Sequence, residues 1–84
     1  MKIYLLGYFD DLHWPSETLN ALEIYTEQGL KRRLHEAIIN EQLCESTLED
    51  NNLTDTTDCE AMTIRKVIRV FRDDGYTVEE RTID

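Results

Sequence analysis

The side chains with chemistry to offer are two cysteines, two histidines and a surplus of carboxylates, 18 acids against 9 bases for a formal net charge of −9. Cys44 and Cys59 bracket a polar connection between two helical patterns, and in an antiparallel helical hairpin they would approach one another. A bridge there would add about 3 kcal/mol through loop closure. The apolar start, Met1 to Phe9, is short and has neither a basic n-region nor a small-residue cleavage site, so it reads as a strand and not as a signal peptide. With no secretion signal the expected compartment is the cytosol, where thiols stay reduced, and two free thiols are the expectation. A zinc site built from both cysteines and a histidine would need ligands from scattered places, without the close Cys spacing of zinc modules.

His13 sits in a turn beside Trp14, and His35 follows Leu34 at the edge of a helical apolar face. Neither lies in a pattern that supplies a nucleophile to a general base, so both read as surface or boundary residues. Asp50, Asn52, Asp55 and Asp58 invite a calcium reading, which the spacing defeats. Thr54 and Asp55 replace the Asp/Asn and Gly of the loop's fifth and sixth positions, and Ala61 falls where the bidentate Glu belongs. The expectation is a non-enzymatic protein without metal or cofactor.

The elements that position these residues come from periodicity. Ile3 to Phe9 alternates with apolar character on both faces, as a central strand covered on two sides would. Asp10 to Ser16 breaks it as a turn. Residues 17–28 carry both helical and strand spacing, but one helix from Ser16 to Cys44 would be roughly 43 Å long, too long for this domain. A short second strand near 20–26 is therefore expected, with Thr26 as the cap of the next helix. That first helix reads from Glu27 to Cys44 on an apolar face of Leu30, Leu34, Ala37 and Ile38. A polar connection, Glu45 to Thr57, leads to Thr57-Asp58-Cys59-Glu60, which matches a capping box. The second helix then runs to about Asp73 on Ile64, Val67, Ile68 and Phe71. Gly75 is a left-handed stop, and Tyr76 to Ile83 a closing strand. The expected fold is α+β, a small antiparallel sheet of two to three strands packed by two helices in the order β-(β)-α-α-β, forming a single domain over residues 1–84.

Charge is the feature with most functional content. Residues 34–64 hold eight acids and no Lys or Arg, while the bases concentrate in Lys31-Arg32-Arg33 and in Arg65, Lys66, Arg69 and Arg72. Antiparallel helices would gather both basic clusters at one end and most acids at the other. The early bases of the first helix oppose its dipole, which points to a purpose other than helix stability. Such an acidic surplus disfavours direct binding to nucleic acid or to anionic membranes and favours a protein partner with a basic surface.

The charge can be read in two ways. In one it only solubilises the domain. In the other, Glu45, Glu49, Asp50, Asp55, Asp58 and Glu60 form a contact set that occupies a basic groove, competing with nucleic acid for its Lys and Arg side chains. In size and charge alone the chain is similar to phage-encoded anti-restriction and anti-CRISPR proteins. That similarity implies inhibition of a host nucleic-acid-binding defence complex in the host cytosol. The alternative is a regulatory or antitoxin-like partner docking through the helical hairpin and its basic stripe, Arg65, Arg69 and Arg72. Trp14, Tyr4, Tyr8 and Tyr25 offer a further aromatic patch, although Tyr4 and Tyr8 in a central strand read better as core.

Overall fold

A computed structural model describes residues 1–8 and 23–83. The turn expected over Asp10–Ser16, with His13 and Trp14, lies outside the described residues. Alternation along β1 (Lys2–Tyr8) sends Tyr4 and Leu6 to one side of a sheet, where both are 1% exposed. The strand is central, paired antiparallel with β2 (Glu23–Tyr25) on one side and β3 (Tyr76–Thr82) on the other. Tyr4 faces Tyr25 and Glu80 in register, and Leu6 faces Glu23 and Val78. The core reading of Tyr4 thus prevails over the aromatic patch. The opposite face is only half covered at Ile3 and Leu5, and Ile24 beside Leu5 is 63% exposed. Cover on both faces is not what the described residues show.

Thr26 ends β2 and caps the first helix, α1 (Glu27–Ile39), its Oγ1 accepting from the Gly29 amide at 3.1 Å. Leu30, Leu34, Ala37 and Ile38 are buried, as their spacing requires. The helix stops at Asn40, short of the expected Cys44. Glu41 takes the left-handed conformation, φ 56°, while its amide bonds to Ile38 O and the Gln42 amide to Ala37 O. This is a Schellman stop with a glutamate in the position glycine usually fills.

The connection after α1 is not simply polar coil. It contains a short helix, α2 (Glu45–Asp50), and a 3₁₀ turn over Cys59–Ala61, before the long helix α3 (Ile64–Asp73). The expected capping box therefore does not start α3: Asp58 caps the 3₁₀ turn by accepting from the Glu60 amide, and Thr63 caps α3 by accepting from the Lys66 amide. Two helical starts lie close together here, and their cap residues merge into one signal in the sequence. Gly75, at φ 96°, ends α3 as expected, and β3 comes directly after it.

The larger correction concerns helix direction. Glu60, just before α3, touches Gln28 and Arg32 near the start of α1, whereas Asp74, just after α3, touches Cys44 and Thr47 beyond the end of α1. The two long helices run parallel on one face of the sheet, with the α2 segment making the return. Their core joins Leu30, Leu34, Val67, Val70 and Phe71 to Tyr4, Leu6 and Val78. Phe71 closes it against Tyr76, edge to face at 5.3 Å between ring centres.

Candidate functional site

The return segment brings carboxylates together because its turns are fixed by backbone hydrogen bonds. After the Schellman stop of α1, α2 begins at Cys44, whose own side chain makes no cap. Asp74 supplies one from across the fold: its Oδ1 accepts from the Cys44 amide and from Thr47 Oγ1, each at 2.9 Å. At the other end, Asn51 is 3% exposed and donates to Thr47 O at 2.8 Å and to Asp73 at 3.3 Å. Asn52, again at φ 56°, ends α2 with a second Schellman pattern, the Leu53 amide on Leu48 O and the Asn52 amide on Glu49 O.

Held in this way, Glu41, Glu45 and Asp55 line a groove of about 470 Å³ whose floor is Ile38 and Leu48. All three carboxylate residues are exposed, and none has an ion pair among the described residues. An apolar floor under a rim of carboxylates suits a lysine or arginine, whose stem packs on hydrocarbon while its head pairs with the rim. No Lys or Arg lies in residues 34–64 to compensate that rim from within the segment.

Of the six acids expected to act together, the groove takes two, Glu45 and Asp55. Glu49 and Asp50 are exposed on α2 but do not line it. Asp58 and Glu60 lie elsewhere, on a groove of about 350 Å³ shared with Arg32, His35, Glu36, Thr57 and Cys59. Glu60 is matched internally. It accepts from Arg32 Nε at 3.1 Å and from Gln28 at 2.7 Å, and these bonds hold its carboxyl below the usual glutamate range. The pair's contribution is present above the ordinary glutamate pKa and fades as pH falls through the lowered one. Separation of acids and bases onto opposite ends therefore does not hold, since parallel helices carry Glu60 back to the early bases of α1.

Those early bases also find structural partners. Lys31 pairs with Glu27 at 3.7 Å, and Arg33 with Glu23 at 3.3 Å while donating to Gln42 at 2.8 Å. Their position against the helix dipole comes from tying α1 to β2, the 3₁₀ turn and the Schellman stop. Arg65, Arg69 and Arg72 are exposed along α3.

Glu41 is the member of the site that sequence reasoning missed. Its one signal was an acid just beyond the last apolar turn of α1, with no glycine nearby to end the helix. A left-handed non-glycine residue costs about 1–2 kcal/mol, and glycine's extra freedom in the unfolded chain returns part of that. We expect Glu41→Gly to stabilise the domain by about 0.5–1 kcal/mol, raising Tm by roughly 3–6 °C in a thermal melt. An unchanged or lower Tm would show that the Glu41 side chain contributes to folding.

Both cysteines are free thiols, Cys44 exposed and Cys59 buried. Burial, then Asp58, pushes the Cys59 thiol up, and the neighbouring Asp74 does the same for Cys44. Neither is an activated nucleophile. Iodoacetamide at pH 8 should modify Cys44 more slowly than a small-molecule thiol, and Cys59 only at the rate of unfolding. Fast labelling of Cys59 in the folded protein would contradict this packing.

Among the described residues there is no group of His, Cys, Asp or Glu arranged to hold a metal ion, and no helix long and apolar enough to cross a membrane. No protein-family model, curated protein or solved structure gives a significant match to this chain.

Proposed function

We propose that this protein is a non-enzymatic interaction module that binds a basic surface of a partner protein through the groove of Glu41, Glu45 and Asp55. The supporting observation is the combination at that groove of three unpaired, exposed carboxylates, among the described residues, with the apolar floor of Ile38 and Leu48. Carboxylates used only for solubility need no such floor and no shared concavity. The basic surface is of the kind that otherwise holds phosphates, since the same Lys and Arg side chains serve both. In its fullest form the reading is inhibition of a host nucleic-acid-binding defence complex by a phage or mobile-element product acting in the host cytosol.

Affinity capture on the immobilised protein tests it. A partner from a bacterial host lysate should be retained at about 0.05 M salt and released by about 0.5 M, because exposed charge contacts are screened. Duplex DNA added to the column should elute the same partner. A complex that resists both salt and DNA would set the mimicry reading aside.

A further inference from the structure

A second surface of opposite sign lies along α3 and the free edge of β3. The chain has nine bases. Lys2, Lys31, Arg32, Arg33 and Arg81 are each paired with a carboxylate within 4 Å. The remaining four, Arg65, Lys66, Arg69 and Arg72, all lie on α3, and none has a carboxylate partner among the described residues.

The strand beside this helix is an edge with its hydrogen-bonding groups turned outward. The sheet order β2-β1-β3 leaves β3 unpaired on its far side among the described residues. Met1 and Ile83 exchange both of their bonds, at 3.0 and 2.7 Å. From that pair the antiparallel alternation makes Ile3/Arg81, Leu5/Glu79 and Gly7/Thr77 the hydrogen-bonded pairs of the ladder. The backbone groups of Val78, Glu80 and Thr82 therefore point away from β1. A seven-residue open edge is a template for another strand unless something blunts it. Here one side chain does so: Arg72 Nη2 donates to Val78 O at 2.8 Å.

Arg65, Ile68 and Arg72 fall on one face of α3, three and four residues apart, and with Glu80 they line a groove of about 290 Å³ between helix and edge. Glu80 is itself held by Lys2 at 3.3 Å, so among the described residues neither arginine of the groove has a carboxylate partner. From an edge strand, a half-buried isoleucine and two guanidiniums without carboxylate partners, we infer that this groove takes an extended acidic peptide segment of a partner, added as a fourth strand beside β3. The incoming backbone bonds to Val78, Glu80 and Thr82, taking Val78 O from Arg72. Side chains on the helix-facing side of the added strand then alternate with those facing away. An apolar one rests on Ile68, and carboxylates two residues to either side of it, on the same face, pair with Arg65 and with the released Arg72. This surface is separate from the acidic groove and does not depend on it.

The test is an amide NMR titration with a capped Thr-Glu-Thr-Val-Thr-Glu-Thr peptide, which puts Glu, Val and Glu on one face of the added strand. Binding should shift the Arg65, Ile68, Val78, Glu80 and Thr82 amides and slow hydrogen exchange at Val78 and Glu80. Arg65→Glu, at an exposed position, should weaken binding by about tenfold or more while leaving the rest of the spectrum in place. Arg72→Gln keeps a donor for Val78 and removes the charge, and it should weaken binding without loss of fold. The inference is overturned if β3 amides neither shift nor gain protection, or if Arg65→Glu binds as well as the parent. It is equally overturned if a single-stranded oligonucleotide moves the α3 amides while the peptide does not, which would make the stripe a phosphate site.

Discussion

Asp74→Ala should lower stability by about 2–3 kcal/mol, a drop in Tm of roughly 10–20 °C for a domain this size. One carboxylate oxygen accepts two bonds at 2.9 Å, from the Cys44 amide and from Thr47 Oγ1. Bonds to a charged acceptor contribute about 1.5–3 kcal/mol each at most, and removal leaves a buried hydroxyl and a helix-start amide without their acceptor. Thr47 is 5% exposed, so water cannot easily replace what is lost. A domain of this length has on the order of 4–12 kcal/mol in total, which makes the loss a large share. The damage should be local in character, because Asp74 joins the end of α3 to the start of α2. Amide exchange in α2 should quicken more than in α1. Thr47→Val combined with Asp74→Ala should cost less than the sum of the two, since each removes the same bond. Strict additivity, or a change under about 0.5 kcal/mol for Asp74→Ala, would show that α2 is held by its apolar contacts alone.

The second large effect is on binding. Reversing Glu41, Glu45 and Asp55 together to lysine should weaken capture of the partner on the order of 100-fold or more, since each contact becomes repulsive. Stability should hardly move, because all three are exposed and unpaired among the described residues. The informative comparison is a charge-matched variant, Glu36→Lys with Glu49→Lys and Asp50→Lys, which alters the net charge equally but leaves the groove rim intact. That variant should keep most of its affinity. Equal losses in both would mean that overall charge, and not the groove, attracts the partner.

Much of the fold was legible because it rests on local rules. The strand alternation of β1, the Thr26 cap, the apolar stripe of α1 and the Gly75 stop each depend on residues a few positions apart. Helix direction was not legible in the same way. It is set by α2 and the 3₁₀ turn, which hide in a segment whose residues favour caps and turns, and α2 is held by Asp74 from 27 to 30 residues away. The end of α1 was missed for a related reason. Leu43, four residues after Ile39, continues the apolar pattern past Asn40, whereas the left-handed Glu41 turns the chain. The acidic candidates divided accordingly. Glu45 and Asp55 reached the groove with Glu41, while Glu60 was carried by the parallel return to Arg32. Composition showed that an acidic stretch without Lys or Arg existed. Which of its members share a surface depended on long-range contacts that no local pattern encodes.

The most direct test of the central claim is an amide chemical-shift titration with octalysine at about 0.05 M salt. If the acidic surplus contains a site, the shifts converge on Ile38, Glu41, Glu45, Leu48 and Asp55 and vanish by about 0.5 M salt. If they spread evenly over Glu36, Glu49, Asp50, Asp58 and Glu79 as well, the carboxylates act as a coat and the groove is not a binding site.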